Sequence, residues 1–244
     1  MKSTYLKVQK ILKILNFINS SEVIFVNNNS KDLTKKVIKD TISLKDGIKK
    51  KYVFEKDFGL SSATLAGLKH AKGTSVLPIP GHDLWTYKTI HSLIKIAKLD
   101  EVRLVLAYRK NKKRNRPFIK YLSSQILVKA VNTLFKLNLM DINGLLLWPT
   151  SLLKKYTLKN AGHAHVLYPL VMILSGGVKI DQIPGFISLN HHKRSSRDFS
   201  DNFPKVTHIY TTLKYLVILK YRAKQIEHIN KFNLPVPQKA SFPK

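Results

Sequence analysis

Apolar positions in the first half of the chain alternate between two spacings. Residues 4–18 place apolar side chains three and four positions apart, which is typical of an amphipathic helix. Residues 22–26 form instead a short, mainly apolar run, which predicts a buried strand. The alternation continues to residue 107, with helices predicted at 34–42, 61–72 and 86–98 and strands at 51–54, 76–79 and 102–107. Such an order predicts an α/β fold with a mostly parallel sheet flanked by helices.

One predicted strand carries prolines. The segment 76–79 contains Pro78 and is followed directly by Pro80. Because proline cannot donate to a neighbouring strand, we expect this part of the sheet to be an edge or to be irregular.

The pattern changes after Tyr108. A basic loop at 109–116 precedes predicted helices at about 118–137 and 149–175, and residues 178–189 predict one or two strands. A long helix is predicted over 204–232. Its apolar residues on one side are Tyr210, Leu213, Leu216, Val217 and Tyr221. We therefore expect one domain over 1–203, followed by an amphipathic helix and tail over 204–244.

Charge changes the picture more than any other part of the composition. The chain has 43 Lys and Arg against 14 Asp and Glu, a formal net charge of +29. With 44% hydrophobic residues the chain is too apolar for a disordered polyelectrolyte. The charge favours an anionic partner, for which nucleic acid, an anionic membrane and phosphorylated small molecules are the candidates. A biased genome composition is an alternative source of the many lysines.

Two further features narrow the class of protein. The chain has no cysteine, which excludes disulfides and thiolate metal sites. No apolar run reaches the roughly 18 residues that a membrane span needs, and the lysines near the N-terminus are spread unlike those of a signal peptide. The prediction is a cytoplasmic protein, with peripheral contact at the inner face of the membrane as an open alternative.

Several segments, taken in order, carry short motifs. Residues 22–34 contain a strand that ends in Asn-Asn-Asn-Ser-Lys-Asp-Leu-Thr, and residues 59–73 contain a helix rich in small residues. These segments resemble family-2 glycosyltransferases, in which the strand ends in Asp-Asp-Gly-Ser-x-Asp-x-Thr and a glycine-rich helix follows. Residues 80–84 stand where the family has its metal-binding Asp-x-Asp. Residues 141–144 resemble the Asp-x-x-Gly of dolichyl-phosphate-mannose-synthase-like members, and 183–196 resemble the late strand with its Arg- and Ser-bearing loop. The resemblance covers roughly residues 20–200 and implies the glycosyltransferase-A, nucleotide-diphospho-sugar-binding fold.

The sequence also departs from the family pattern. The usual first strand is not evident, because the chain starts in the helix that should follow it. We expect either a fragment of a longer product or another segment in the place of that strand. Asn27 and Asn28 replace the aspartate pair, and of the Asp-x-Asp only the neighbouring Asp83 remains. Mg²⁺ or Mn²⁺ is therefore an open cofactor prediction with Asp83 as the one candidate ligand, since these ions prefer several oxygen ligands.

The resemblance implies a set of site residues. Donor-binding residues are predicted to be Asn27, Asn28, Asp32, Gly59, His82 and Asp83. Catalytic carboxylates are predicted to be Asp83 and Asp141, and phosphate-binding residues to be Arg109, His192, Lys193 and Arg194. Several have a plainer alternative: turn formation for the asparagines, helix capping for Asp32 and Asp83, a structural or solvated side chain for His82, a solvated loop for Arg109 and a structural ion pair for Asp141.

Three functions remain open on the sequence alone. The first is an inverting glycosyltransferase, metal-independent or weakly metal-dependent, that moves a sugar from a nucleotide donor to a lipid-linked phosphate or surface glycan. The second is a catalytically silent or truncated relative that serves as a binding subunit. The third, a nucleic-acid-binding protein, rests only on the charge of +29, because the chain has no recognisable recognition module.

Overall fold

The fold comes from a computed structural model, which describes residues 1–57, 59–99, 103–111, 113, 118–157, 162–188 and 214–224. The helices are α1 (Lys2–Ile14), α2 (Thr34–Ile42), α3 (Leu60–Leu68), α4 (Tyr87–Ala97), α5 (Phe118–Phe135), α6 (Thr150–Tyr156) and α7 (Leu167–Ser175), with a 3-10 turn at Gly162–His165. The strands are β1 (Glu22–Asn28), β2 (Lys49–Glu55), β3 (Ser75–Val76), β4 (Leu104–Arg109), β5 (Leu145–Pro149) and β6 (Ile180–Gly185). Residues 214–224 form a further helix, called here the C-terminal helix.

The described strands form two sheets. β1 and β2 pair in parallel, with Val26 opposite Val53. The second sheet has the order β3-β5-β4-β6, in which β4 and β6 are parallel while β5 runs antiparallel to both β3 and β4. The predicted α/β class with sheets flanked by helices is confirmed, and strand directions within it are mixed. The short β3 lies at an edge, as the prolines after it predict.

The alternation of side chains along β4 and β5 divides the core into two layers. Leu104 and Leu106 of β4 face one hydrophobic cluster, while Val105 and Ala107 face the other. β5 divides in the same way, since Leu146 lies in the first cluster and its neighbours in the second. Residues of α5, α6, α7 and the C-terminal helix pack in the first layer, and residues of α1, α2, α4 and β1 in the second.

Two predictions for the second half of the chain were wrong. β5 was not predicted, because a short, wholly buried apolar run does not by its periodicity distinguish a strand from a segment of a buried helix. The single helix predicted at 149–175 is divided into α6, a 3-10 turn and α7. α6 ends because Thr157 adopts an extended backbone with ψ of 127°.

The C-terminal helix packs on the first layer of the core. Leu216, Leu219 and Ala223 are buried, whereas Val217 and Tyr221 point to solvent. The predicted grouping of Leu216 with Val217 and Tyr221 on one side is therefore wrong, because the helix turns these positions to different faces. No helix in the described ranges is both long and apolar enough to cross a membrane.

Candidate functional site

The carboxyl ends of the parallel strands β1 and β2 are joined by Asn28. Its amide nitrogen donates to the backbone oxygen of Asp57, and its side-chain oxygen accepts from the backbone NH of Gly59 at 2.9 Å. Gly59 has a φ of +114°, a conformation that side chains other than hydrogen rarely allow. These contacts fix the turn after β1 beside the turn that begins α3, so two of the predicted donor-binding residues, Asn28 and Gly59, lie in contact.

Asn27 contacts both β2 and the turn that follows β1. Its side chain is buried, donates to the hydroxyl of Tyr52 at 3.3 Å and accepts from the backbone NH of Ser30 at 3.0 Å. The latter bond closes the turn after β1, in which Asn29 has a φ of +52°. The asparagine run thus holds the turn in one conformation, which is the plainer of its two predicted roles.

Asp32 lies at the start of α2. Its carboxylate accepts from the backbone NH of Thr34 at 2.9 Å. Hydrogen bonding to the side chain of Thr34, and then to its backbone NH, lowers the pKa of Asp32. Because the side chain is fully exposed, it is oriented by the helix start rather than by the core. The contact forms a turn just before α2, whose N-cap residue is Leu33 and which has no side-chain cap.

The loop that carries His82 and Asp83 is held by the first two turns of α1. Lys7 Nζ lies 2.6 Å from one carboxylate oxygen of Asp83, and the hydroxyl of Ser3 donates to the other at 2.8 Å. Thr4 Oγ1 accepts from the backbone NH of Asp83 at 3.2 Å. Asp83 has a φ of +61°, which Asp adopts more readily than most residues. α1 therefore fixes the Asp83 carboxylate, while the side chain of His82 is exposed.

The charge of Asp83 is already compensated. Burial works against the ionised carboxyl, but the hydrogen bonds from Lys7 and Ser3 outweigh it and lower the pKa of Asp83. Mg²⁺ and Mn²⁺ need several oxygen ligands, and a second cation here would meet the Lys7 ammonium. Among the described residues no group of three or more His, Asp or Glu side chains is placed to hold a metal ion. These residues do not fit a divalent metal at Asp83.

Asp141 and Arg109 form a buried, bidentate ion pair. Arg109 Nε and Nη2 donate to the two carboxylate oxygens of Asp141 at 2.7 Å each. Backbone NH groups of Ile142 and Asn143 donate to the same carboxylate at 2.9 and 3.2 Å. The side chain of Asp141 is 0% exposed. The pair ties the end of β4 to the loop before β5, which is the structural alternative predicted for Asp141.

The segment after β6 is held beside the Asp83 loop. The backbone NH of Ser188 donates to the backbone oxygen of Leu84 at 2.8 Å. Asn111 brackets Ile187 by accepting from its NH at 3.0 Å and donating to its oxygen at 2.9 Å. The predicted phosphate-binding residues His192, Lys193 and Arg194 lie outside the described residues.

Three residues that position the site were not predicted. Lys7 anchors Asp83, Tyr52 anchors Asn27, and Asn111 anchors the segment after β6. For Lys7 a signal existed, because Ser3 and Lys7 are one helical turn apart and share a face of α1. Nothing in the sequence distinguishes Asn111 from the rest of its basic run.

The family assignment comes from a match to the whole first part of the chain. A sequence model of glycosyl transferase family 2 matches residues 4–158, which is more than half of the protein. The chain belongs to glycosyl transferase family 2. The matched range includes the asparagine turn, the Asp83 loop and Asp141, and the predicted resemblance is confirmed.

Curated relatives match a shorter segment. The bactoprenol glucosyl transferase of Shigella phage SfV is 38% identical over 58 residues, which are 24% of this chain and 19% of that protein. A prophage bactoprenol glucosyl transferase homolog of Escherichia coli K12 is 36% identical over 58 residues, with the same coverage. The matched segment thus spans about a fifth of the length of these relatives.

Solved structures match nearly the whole chain. Glucosyl-3-phosphoglycerate synthase from Mycobacterium tuberculosis, solved with uridine diphosphate, has a TM-score of 0.52 at 16% identity and covers 94% of this chain and 76% of that one. The same enzyme solved with Mn²⁺, UDP-glucose and glycerol 3-phosphate has a TM-score of 0.51 at 15% identity, covering 95% and 77%. At this identity the likeness shows the fold alone, and it confirms the predicted glycosyltransferase-A type.

Proposed function

We propose that this family-2 glycosyltransferase binds a nucleotide-sugar donor at the carboxyl ends of β1 and β2. The observation that carries the proposal is the fixed edge at which Asn28 joins the turn after β1 to the turn before α3. Ligands of α/β folds bind outside the carboxyl ends of parallel strands, where successive turns leave a crevice. In this proposal Asn27, Asn28 and Gly59 shape the donor edge, and Asp32 stands at its rim.

The proposed reaction is transfer of the sugar to a lipid-linked phosphate or a surface glycan. The acceptor oxygen forms a bond to the anomeric carbon as the bond from that carbon to the nucleoside diphosphate breaks, which inverts the sugar. The names of the bactoprenol glucosyl transferases that match part of the chain support a lipid-linked acceptor. In this proposal, basic side chains of the chain stabilise the negative charge of the departing diphosphate. The residues predicted for this role are His192, Lys193 and Arg194.

A membrane contact belongs to this proposal. The outer side of the C-terminal helix carries Val217 and Tyr221 between exposed lysines at 214, 220 and 224. Apolar and basic residues on one helix face are typical of helices that rest on an anionic membrane. The protein would then act at the inner face of the membrane as a peripheral protein.

The second candidate function is a catalytically silent donor-binding subunit. The observation that favours it is the engagement of both predicted catalytic carboxylates, Asp83 by Lys7 and Asp141 by Arg109. Against the effect of burial, hydrogen bonds from Lys7 and Ser3 lower the pKa of Asp83 and make it a weaker base, and the Asp141 carboxylate is buried against Arg109. Only an assay of transfer separates this candidate from an active enzyme.

The test is thermal unfolding with UDP-, GDP-, CDP- and dTDP-sugars, each with Mn²⁺, with Mg²⁺ and with EDTA. A ligand at about a hundred times its dissociation constant stabilises the folded state by about 2.7 kcal/mol. We expect a shift with one nucleotide class that persists in EDTA and is lost in Asn28→Ala. The control Asn19→Ala, exposed at the opposite end of β1, should keep the shift. A cooperatively folded protein that responds to no nucleotide contradicts donor binding by this chain.

A donor that binds is then tested for transfer. Sugar incorporation from the same nucleotide sugar into polyprenyl phosphate supports the enzyme. Binding without incorporation or donor hydrolysis supports the silent subunit.

A further inference from the structure

The outer face of α5 is apolar. Phe118, Ile119, Leu122 and Ile126 are 68%, 45%, 46% and 61% exposed. Phe118, Leu122 and Ile126 follow one another at four-residue spacing and therefore share one face of the helix. At 1.5 Å per residue they form a stripe about 12 Å long. We call the four residues the α5 stripe.

The exposure of the α5 stripe does not arise from a loose helix. Val128 and Val131 on the opposite face are buried in the first core layer, and Leu127 and Phe135 pack against the same cluster. α5 is thus a docked helix with apolar side chains on both sides. A helix with one apolar stripe ordinarily turns that stripe to the core, so a second apolar stripe on the solvent side indicates a further contact.

The charge around the α5 stripe indicates what covers it. Residues 109–140 contain nine Lys and Arg and no Asp or Glu. Lys129 is exposed one turn beyond Ile126 on the same face, and Lys110 and Lys113 are exposed before the helix begins. An apolar stripe beside positive charge complements an anionic bilayer, where the apolar residues enter the interface and the lysines meet the headgroups.

We propose that the α5 stripe is a docking surface for an anionic lipid bilayer. A nucleic acid would use the charge but not the four apolar side chains, which makes it the poorer fit. A second copy of the chain would bring a second set of lysines against the first, and such like charges repel. The inference extends the proposed function, because a lipid-linked acceptor lies at a membrane and α5 leads into the loop that carries Asp141.

The first experiment is cosedimentation of the whole protein with vesicles of phosphatidylcholine, with and without phosphatidylglycerol. We expect binding to the anionic vesicles that weakens steeply with salt, since exposed charges are screened beyond about 10 Å at 0.1 M. The double variant Leu122→Asp/Ile126→Asp should bind at least about tenfold more weakly, because both changes remove apolar side chains that enter the interface. Both positions are exposed, so the fold should persist.

Leu33→Asp is the control, and it is compared with the single variant Ile126→Asp, which adds the same single negative charge. Leu33 is 73% exposed and stands among lysines at 31, 35 and 36, but it is a single apolar residue. It should leave vesicle binding unchanged. Equal loss of vesicle binding in Leu33→Asp and in Ile126→Asp would show that net charge alone attracts the protein and would overturn the docking surface.

The second experiment places a reporter in the stripe. Trp85 and Trp148 are both 3% exposed, so a tryptophan introduced at position 126 would be the one whose fluorescence responds to its surroundings at the surface. In Ile126→Trp we expect a blue shift with anionic vesicles and quenching by brominated lipid, and in Leu33→Trp neither. Emission already blue-shifted without vesicles would show that the chain itself or a second copy covers the stripe, and it would overturn the proposal.

Two further outcomes separate this proposal from others. Binding to RNA that the double variant loses, with no vesicle binding, would assign the face to nucleic acid instead. The vesicles contain neither a sugar nucleotide nor a lipid-linked acceptor. Failure of vesicle binding therefore leaves the proposed donor site standing, and failure of the nucleotide shift leaves the docking surface standing.

Discussion

The substitution Asp141→Ala tests whether the buried ion pair is structural. The Asp141 carboxylate accepts two short hydrogen bonds from Arg109 and further bonds from backbone NH groups, and both side chains are almost fully buried. Removing the carboxylate leaves the guanidinium buried without its anion. Breaking a buried pair in this way costs about 3–5 kcal/mol of unfolding free energy.

The expected effect is large enough for simple assays. For a chain of about this size each kcal/mol lowers the Tm by about 2–4 °C, which gives a loss of roughly 6–20 °C. Urea unfolding followed by circular dichroism measures the same loss as a free energy. Asp181→Ala is the control, since Asp181 pairs with Arg103 at 3.6 Å with both side chains about half exposed. It should cost under about 1 kcal/mol.

Two further variants keep the test informative if Asp141→Ala does not fold. Asp141→Asn keeps the volume and one acceptor, so it should be destabilised less. The double variant Arg109→Met/Asp141→Leu removes both charges and should recover much of the loss, because a buried pair is often replaceable by apolar residues. Asp141→Ala with the stability of the control, but with sugar transfer abolished, would refute the structural role and support the predicted catalytic base.

Two other substitutions test how the fold is held. Burial works against the charge of Asp46, but hydrogen bonds from Lys50 and other donors outweigh it and lower the pKa of Asp46 to about 2. The lowered pKa contributes on the order of 2 kcal/mol to the free energy of unfolding. This contribution is present above about pH 5 and is lost as the pH falls toward 2. Asp46→Asn should remove that pH dependence from the urea midpoint, and an unchanged profile would contradict it. A Cβ at Gly144 would lie 2.4 Å from the backbone oxygen of Ala107, so Gly144→Ala should cost at least about 1–3 kcal/mol in urea unfolding. Gly73→Ala, whose nearest atom would be 3.4 Å away, is the control, and equal stability of the two variants would count against the close approach.

Local patterns were sufficient for the first half of the chain. Short apolar runs and helical spacing predicted β1, α2, β2, α3, α4 and β4, because each of these elements buries one face or one run and leaves a period in the sequence. The order of weak motifs predicted the family. β4 was assigned from its place in the alternation of strands and helices, whereas β5 and the division of the predicted helix 149–175 lie after that alternation ends. There, an apolar run does not by its periodicity distinguish a buried strand from a buried helix.

The sequence by itself determined the α/β class, the family and the absence of an Asp-x-Asp motif. Only the tertiary structure decided what the remaining acids do. Asp83 meets Lys7 and Asp141 meets Arg109 across separations of 76 and 32 positions, distances along the chain over which no local pattern carries information. The pairing of a charge with its partner depends on which helix packs on which loop. For this reason the sequence could indicate the candidate acidic residues, but it could not show which cation pairs with each of them.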